Sequence, residues 1–116
     1  MNVFGEIMLE PLLGSIITEK VLIFILTRET GYLTEISRSL DIPISSLVKP
    51  LGNLEAGGVL FSQQYGKTRV YAFNPQYPFL AELKALLAKA FEYYPPEIKD
   101  ILQMNRRRPR RKDKPL

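Results

Sequence analysis

Two short runs of helical periodicity occupy the middle of the chain. The first covers residues 33–40 and has apolar side chains one helical turn apart, at Ile36 and Leu40. The second covers residues 44–56 and repeats its apolar side chains at i, i+4 and i+7. Those positions are Leu47, Leu51 and Leu54. Because only three residues separate the runs, the pattern predicts two helices that cross steeply and share an apolar seam, as in a helix-turn-helix.

The residues after the second run have the pattern of a β-hairpin. Val59–Tyr65 and Arg69–Phe73 are rich in residues that favour strands, and they flank a glycine-containing loop of three residues, 66–68. The pair Gly57-Gly58 is expected to end the preceding helix in a left-handed conformation. A third short strand of one or two residues is expected to begin at Tyr32 and to pair with the hairpin.

A strongly apolar helix is predicted before the helix-turn-helix. Ser15 is a candidate N-cap, and the helix runs to Arg28, with Glu19 and Arg28 placed favourably for the helix dipole. Gly31 is expected to stop the helix. Its centre, VLIFIL, is apolar on every face, so it needs cover on two sides. The expected cover is the helix-turn-helix on one side and a terminal helix or another subunit on the other.

Helices are also predicted at both ends of the chain. Val3–Leu13 reads as a short helix interrupted at Pro11, Pro78–Tyr94 as a long amphipathic helix, and Glu97–Met104 as a final helical segment. The long helix has more apolar surface than so small a domain is expected to cover. A symmetric homodimer is the commonest way to bury such a surface.

Residues 13–78 resemble winged helix-turn-helix regulators of the arsenic-repressor-like (ArsR-like) and related bacterial groups. The resemblance rests on EISRSL as the first helix, SSLVKPLGNLEAGGVL as the recognition helix and its exit, and YGKTRVYAFNP as the wing. It implies a mainly α fold with a small β-hairpin wing and with N- and C-terminal helices for dimerisation. It also implies a sequence-specific, homodimeric regulator of transcription that binds double-stranded DNA and represses by occupying its operator.

Candidate DNA-binding residues follow from the leucine seam. Those on the opposite face of the second helix are expected to reach base edges and phosphates in a major groove. They are Ser45, Ser46, Lys49 and Asn53. The tip of the wing is expected to reach phosphates or the minor groove. Its residues are Lys67, Thr68 and Arg69.

Two other interpretations of these elements remain open. The helices and hairpin also fit a small α+β domain whose polar faces meet only water. Alternatively, the exposed face binds a protein, such as a toxin or enzyme encoded beside it. Pro50 favours the second alternative, because a proline inside a helix removes a hydrogen bond and costs about 3 kcal/mol or kinks the helix. In the turn, by contrast, Asp41 tolerates the left-handed conformation that such a turn needs.

The composition excludes several chemistries. The chain has 116 residues without cysteine or histidine, so thiolate metal sites, disulfides, a cysteine nucleophile and an imidazole base are excluded. No paired carboxylates stand at catalytic spacing. We therefore expect no enzyme, no cofactor and no metal, and we expect one domain over residues 1–104.

Charge is concentrated at the C-terminal end. Residues 105–116 contain seven basic residues and one acidic residue, Asp113, so their net charge is +6. The net charge of the whole chain is +4, so residues 1–104 have a net charge of −2. This tail is expected to be disordered and to add phosphate contacts. A solubilising extension and an RNA-binding segment are the alternatives. Its basic residues are Arg106, Arg107, Arg108, Arg110, Arg111, Lys112 and Lys114.

No targeting or membrane segment is predicted. The N-terminal segment contains Glu6 and Glu10 and no basic region, and the longest run without charge, Val70–Ala81, has 12 residues with two prolines. We therefore expect a cytoplasmic protein with no membrane partner.

Overall fold

The computed structural model describes residues 9–103. This part of the chain is mostly helical and includes a small antiparallel sheet of three strands. The elements are α1 (Glu10–Leu13), α2 (Ile16–Arg28), β1 (Thr30–Tyr32), α3 (Leu33–Leu40), α4 (Ile44–Ala56), β2 (Leu60–Tyr65), β3 (Thr68–Phe73), α5 (Leu80–Glu92) and α6 (Pro96–Gln103). The predictions for residues 1–8 and 104–116, including the basic tail, lie outside the described residues.

Helix α2 forms the centre of the core. Its predicted N-cap is confirmed, since the Ser15 hydroxyl oxygen accepts hydrogen bonds from the backbone N–H groups of Ile17 and Thr18. All five residues from Val21 to Ile25 are buried. Every other helix of the described chain packs against α2, as do β1 and β3. The chain itself therefore covers the apolar centre of α2, and no second subunit is needed there.

The predicted end of α2 at Arg28 is confirmed, but Gly31 is not the residue that stops the helix. The helix ends at Arg28, and Glu29 takes the left-handed side of backbone space with φ +76°. Gly31, the predicted stop, instead lies in the middle of β1 and pairs with Tyr71 of β3. Residues 30–32 can join the sheet only if the helix has already ended, so strand pairing sets the boundary.

A side chain at Gly31 would collide with the core. A Cβ there would lie 2.9 Å from Phe24 Cε1 and 3.1 Å from Ile36 Cγ1, and both of these side chains are fully buried. We expect Gly31→Ala to lower the free energy of unfolding by about 1–3 kcal/mol. Gly52 in α4 has nothing within 4 Å of such a Cβ, so Gly52→Ala should raise it by about 1 kcal/mol. Urea denaturation measures the free energy of unfolding of both variants. An unchanged value for Gly31→Ala would show that the Phe24 and Ile36 side chains can move aside without a loss of stability.

The helix pair agrees with the predicted bounds. Asp41 has φ +58° in the turn, as predicted. Ser37 braces the turn twice: its hydroxyl donates to the Ile42 carbonyl over 2.6 Å, and its carbonyl accepts from the Ile42 N–H over 3.1 Å. Helix α4 continues through Pro50 without a break. Its end is followed by Gly58 in the left-handed conformation, with φ +83°.

The sheet has the strand order β1-β3-β2, with both pairs antiparallel. The third strand expected beside the hairpin is therefore present. The loop is shorter than predicted, because Thr68 pairs with Tyr65 and belongs to β3. Only Gly66 and Lys67 remain in the turn, and Gly66 takes φ +62°, as a tight hairpin requires.

The long helix predicted over Pro78–Tyr94 is shorter in the structure. Helix α5 begins at Leu80 and ends at Glu92. Pro11 does not interrupt α1 but lies in its first turn, where the missing N–H of proline costs nothing. None of the helices within residues 9–103 has the length and apolar character needed to cross a membrane.

Candidate nucleic-acid interface

Helix α4 buries its leucines and exposes its polar side chains. Leu47 and Leu51 are fully buried, and Leu54 packs partly buried against the same core. The four residues predicted to face outward are all exposed. They are Ser45, Ser46, Lys49 and Asn53. The structure thus brings the predicted helical residues to one solvent-facing surface, while their contact with DNA stays a prediction.

Two apolar side chains on α4 were not predicted for this surface. Ile44 is 40% exposed and Val48 is 57% exposed. They lie one helical turn apart and flank Ser45 and Lys49, off the leucine seam. Apolar side chains in a major groove can contact the methyl groups of thymine. The i, i+4 spacing of Ile44 and Val48 was the signal in the sequence that could have identified them.

Lys67, Thr68 and Arg69 are all exposed at the tip of the hairpin. Arg69 is also engaged within the protein: its Nη1 donates to the Ser62 hydroxyl oxygen over 2.6 Å, and that hydroxyl donates to Glu55 Oε2 over 2.7 Å. Since Glu55 lies in the last turns of α4, these bonds tie the hairpin to that helix. Arg69 is therefore hydrogen-bonded to the residue that joins the hairpin to α4, while its side chain stays exposed.

The same network affects Tyr71. Burial raises the pKa of the Tyr71 phenol above its usual range, the Glu55 carboxylate raises it further, and the Arg69 guanidinium acts in the opposite direction. The phenol therefore keeps its proton at neutral pH and stays a hydrogen-bond donor. No pattern in the sequence predicted the contacts among Glu55, Ser62, Arg69 and Tyr71, because they arise only when the hairpin folds back on α4.

A cleft of about 360 Å³ separates the hairpin tip from the N-terminal end of α3. Its lining contains two cationic side chains, two threonine and two tyrosine side chains, and no carboxylate. The lining residues are Tyr32, Leu33, Thr34, Lys67, Thr68, Arg69 and Tyr71. Side chains of this kind can donate hydrogen bonds to an anion such as a phosphate group. Tyr32 and Thr34 were not predicted for the interface.

A larger cleft of about 660 Å³ lies between the end of α2, β1 and α3. Its charges are of both signs, and Arg28 forms an ion pair with Glu35 at 3.3 Å. The guanidinium of Arg28 also lies 4.3 Å from the centre of the Phe24 ring. Arg28 in this cleft therefore forms contacts with residues of its own chain, which stabilise the fold. Among residues 9–103, no cluster of three or more acidic side chains could hold a metal ion.

Comparison of the chain with protein-family models, with curated proteins and with solved structures gave no match. The case for a nucleic-acid interface therefore rests on α4, the hairpin and the cleft beside them.

Proposed function

We propose that this chain is a cytoplasmic, sequence-specific DNA-binding protein of the winged helix-turn-helix type, and that it is a homodimeric transcriptional repressor. One observation carries the proposal. The exposed polar face of α4 belongs to a helix that the Glu55–Ser62–Arg69 hydrogen bonds join to a hairpin with a basic tip. A helix and a wing held together in this way can contact one duplex at the same time.

In the proposed mechanism α4 enters a major groove, and the wing follows the neighbouring backbone. Asn53 reads an adenine edge, while Lys49 positions the helix on phosphates. The anionic backbone passes the cleft beside Lys67 and Arg69. A dimer places its two α4 helices about 34 Å apart, in successive major grooves of a palindromic operator. Occupation of that operator excludes other proteins, which is how the chain represses.

The folded part of the chain and the tail carry net charges of opposite sign and therefore contribute differently to DNA binding. Residues 1–104 carry a net charge of −2, so attraction of the folded part to DNA depends on the exposed cationic side chains of Lys49, Lys67 and Arg69. The tail, at +6, supplies general affinity for phosphates. This division assigns sequence preference to α4 and salt-dependent affinity to the tail.

The second candidate function is a protein-interaction module, with an adjacent toxin or enzyme as its partner. The specific observation in its favour is the exposure of Ile44 and Val48 on α4, since exposed apolar side chains beside polar ones are typical of protein interfaces. Catalysis is not proposed, because the chain lacks cysteine and histidine.

The test of the proposal is Asn53→Ala. Selection from a random pool of duplexes first identifies the preferred sequence, which should be a palindrome. Fluorescence anisotropy then compares affinities for preferred and random duplexes. We expect Asn53→Ala to cost about 1–3 kcal/mol on the preferred duplex and little on the random one.

The control is Gln76→Ala, which removes an exposed amide in the segment after β3 and should change neither affinity. Equal losses of Asn53→Ala on both duplexes would show that Asn53 does not read bases. No enrichment of any sequence would favour the interaction module.

A further inference from the structure

One face of the three-stranded sheet packs on the helices, and the other does not. Gly31 and Leu60 mark the packed face: a Cβ on Gly31 would lie 2.9 Å from Phe24 Cε1, and Leu60 is fully buried. Successive side chains along a strand point to opposite faces, so the neighbours of Gly31 and Leu60 point away from the core. We call the six exposed residues on that side the outer face. They are Thr30, Tyr32, Phe61, Gln63, Tyr65 and Thr68.

The strand register arranges the outer face in three rows. Ala72 pairs with both Thr30 and Phe61, Val70 pairs with both Tyr32 and Gln63, and Thr68 pairs with Tyr65. Each row therefore contains one aromatic ring and one threonine or glutamine side chain that donates and accepts hydrogen bonds.

The three rings of the outer face are open to solvent and stand apart. Tyr32 is 38% exposed, Phe61 37% and Tyr65 59%. Phe61 and Tyr65 lie about 13 Å apart along β2, and Tyr32 lies two strands, or about 10 Å, from Gln63 between them. No ring contact joins any two of the three within residues 9–103. Each ring can therefore stack on a separate flat group of a ligand.

The sheet is also the cationic part of the folded chain. Residues 60–73 contain Lys67, Arg69 and no acidic residue, so they carry +2. Because residues 1–104 carry −2 in all, the rest of them carry −4. Residues 30–32 of β1 add no charge, and the tail adds +6. A polyanion with flat, unpaired groups complements such a surface better than a neutral protein does.

We propose that the outer face binds single-stranded RNA, with one base stacked on each of Tyr32, Phe61 and Tyr65. Aromatic side chains on an antiparallel sheet bind unpaired bases in this way, and such stacking tolerates any base. A duplex keeps its base faces covered, so it cannot use these rings. The inference goes beyond the proposed function and is independent of it, since no residue of α4 takes part.

The polar side chains of the outer face favour RNA over single-stranded DNA. Thr30, Gln63 and Thr68 stand beside the rings, where they can hydrogen-bond the 2′-hydroxyl groups that DNA lacks. Gln63 Oε1 accepts the Tyr65 hydroxyl over 2.9 Å, which leaves its amide nitrogen to donate. Lys67, exposed at the turn, can contact a phosphate at the edge of the face.

The first test measures the affinity of the full chain for a labelled single-stranded RNA of mixed sequence by fluorescence anisotropy. Salt of about 0.3 M weakens the phosphate contacts of the tail. Phe61→Ala and Tyr65→Ala should each weaken binding at least about 5-fold, as the loss of one stacked base predicts. Phe61→Leu should weaken it similarly, because leucine keeps the apolar bulk without the ring, whereas Tyr65→Phe should bind almost as wild type does.

The matched control is Tyr93→Ala, which removes an aromatic ring of similar exposure, 52%, at the end of α5. It should leave RNA affinity unchanged, and circular dichroism checks that every variant folds. Unchanged affinity in Phe61→Ala and Tyr65→Ala, or an equal loss in Tyr93→Ala, overturns the proposal. So does a wild-type dimer that Phe61→Ala dissociates without RNA, because the outer face would then contact a second copy.

The second test compares RNA with DNA of the same sequence. Wild type should bind the RNA strand at least about 3-fold more tightly, and Gln63→Ala should reduce that preference, as the loss of a hydrogen bond predicts. Equal affinity of wild type for both strands overturns the choice of RNA. Ultraviolet crosslinking with mass spectrometry then locates the RNA. Crosslinks at Phe61 or Tyr65 are expected, and crosslinks confined to residues 105–116 would overturn the site.

The two proposals can fail separately. Asn53→Ala should leave RNA affinity unchanged, and Phe61→Leu should leave the affinity for the preferred duplex unchanged. RNA binding by a chain that selects no duplex would refute the proposed function alone. Selective duplex binding by a chain whose outer-face variants bind RNA as wild type does would refute this inference alone.

Discussion

Replacing Glu19 with alanine is expected to lower the free energy of unfolding by about 3 kcal/mol. Glu19 lies on α2 and is fully buried. Its Oε1 accepts the backbone N–H of Leu9 over 3.1 Å, and its Oε2 accepts the Tyr94 hydroxyl over 2.6 Å. The substitution removes the acceptor of both bonds and leaves a cavity in a packed core. Each effect costs stability, because buried donors lose hydrogen-bond energy and cavities lose packing.

Urea denaturation followed by circular dichroism measures this loss. Tyr94→Phe removes one of the two bonds and should cost about 1–2 kcal/mol. Glu97→Ala, at an exposed position in the first turn of α6, is the control and should change stability by less than about 0.5 kcal/mol. Wild-type stability in Glu19→Ala would show that the two bonds contribute no net energy to the fold.

Glu19 also shows what the sequence could not reveal. The pattern placed it in the first turns of a helix, where a carboxylate favours the dipole. In the structure it joins three segments: the residue before α1, α2 itself, and Tyr94 between α5 and α6. Leu9 and Tyr94 lie 10 and 75 residues away along the chain. Helical and strand periodicity describes only neighbouring residues, so the sequence pattern could not predict these two hydrogen bonds of Glu19.

The bounds of α3 and α4, by contrast, were predicted residue for residue. Each helix has a regular apolar period, and between them Pro43 and Asp41 mark a turn by their own backbone preferences. Gly57-Gly58 marks the exit in the same local way. Local sequence preference and tertiary packing agree in this part of the chain, and the prediction is therefore confirmed.

The two details that were wrong depend on strand pairing. Gly31 lies within β1 instead of stopping α2 because β1 pairs with β3, and the hairpin turn is shorter than predicted because Thr68 pairs with Tyr65. In the candidate interface, too, the features set by local pattern were predicted and those set by tertiary contacts were not. Exposure of the α4 residues followed from the leucine seam, whereas the bonds of Ser62 to Glu55 and Arg69 required the hairpin to fold onto the helix.

Removal of residues 105–116 is expected to weaken binding to every DNA and to leave the base preference in place. The segment carries seven basic residues, and each phosphate contact contributes about 0.9 to the slope of log affinity against log salt. If all seven contact phosphates, the slope falls in magnitude by up to about 6 per chain. Lys67→Ala in the full chain is the matched control, since the loss of one phosphate contact should change the slope by about 1.

A salt titration of the full and shortened chains on preferred and random duplexes tests most directly whether α4 and the hairpin read the sequence. The proposed function predicts a shallower slope for the shortened chain on both duplexes and the same ratio of preferred to random affinity. An unchanged slope would make the tail a solubilising extension. Loss of the ratio itself on removing the tail would contradict the central claim, because the winged helix would then not be the part of the chain that reads DNA.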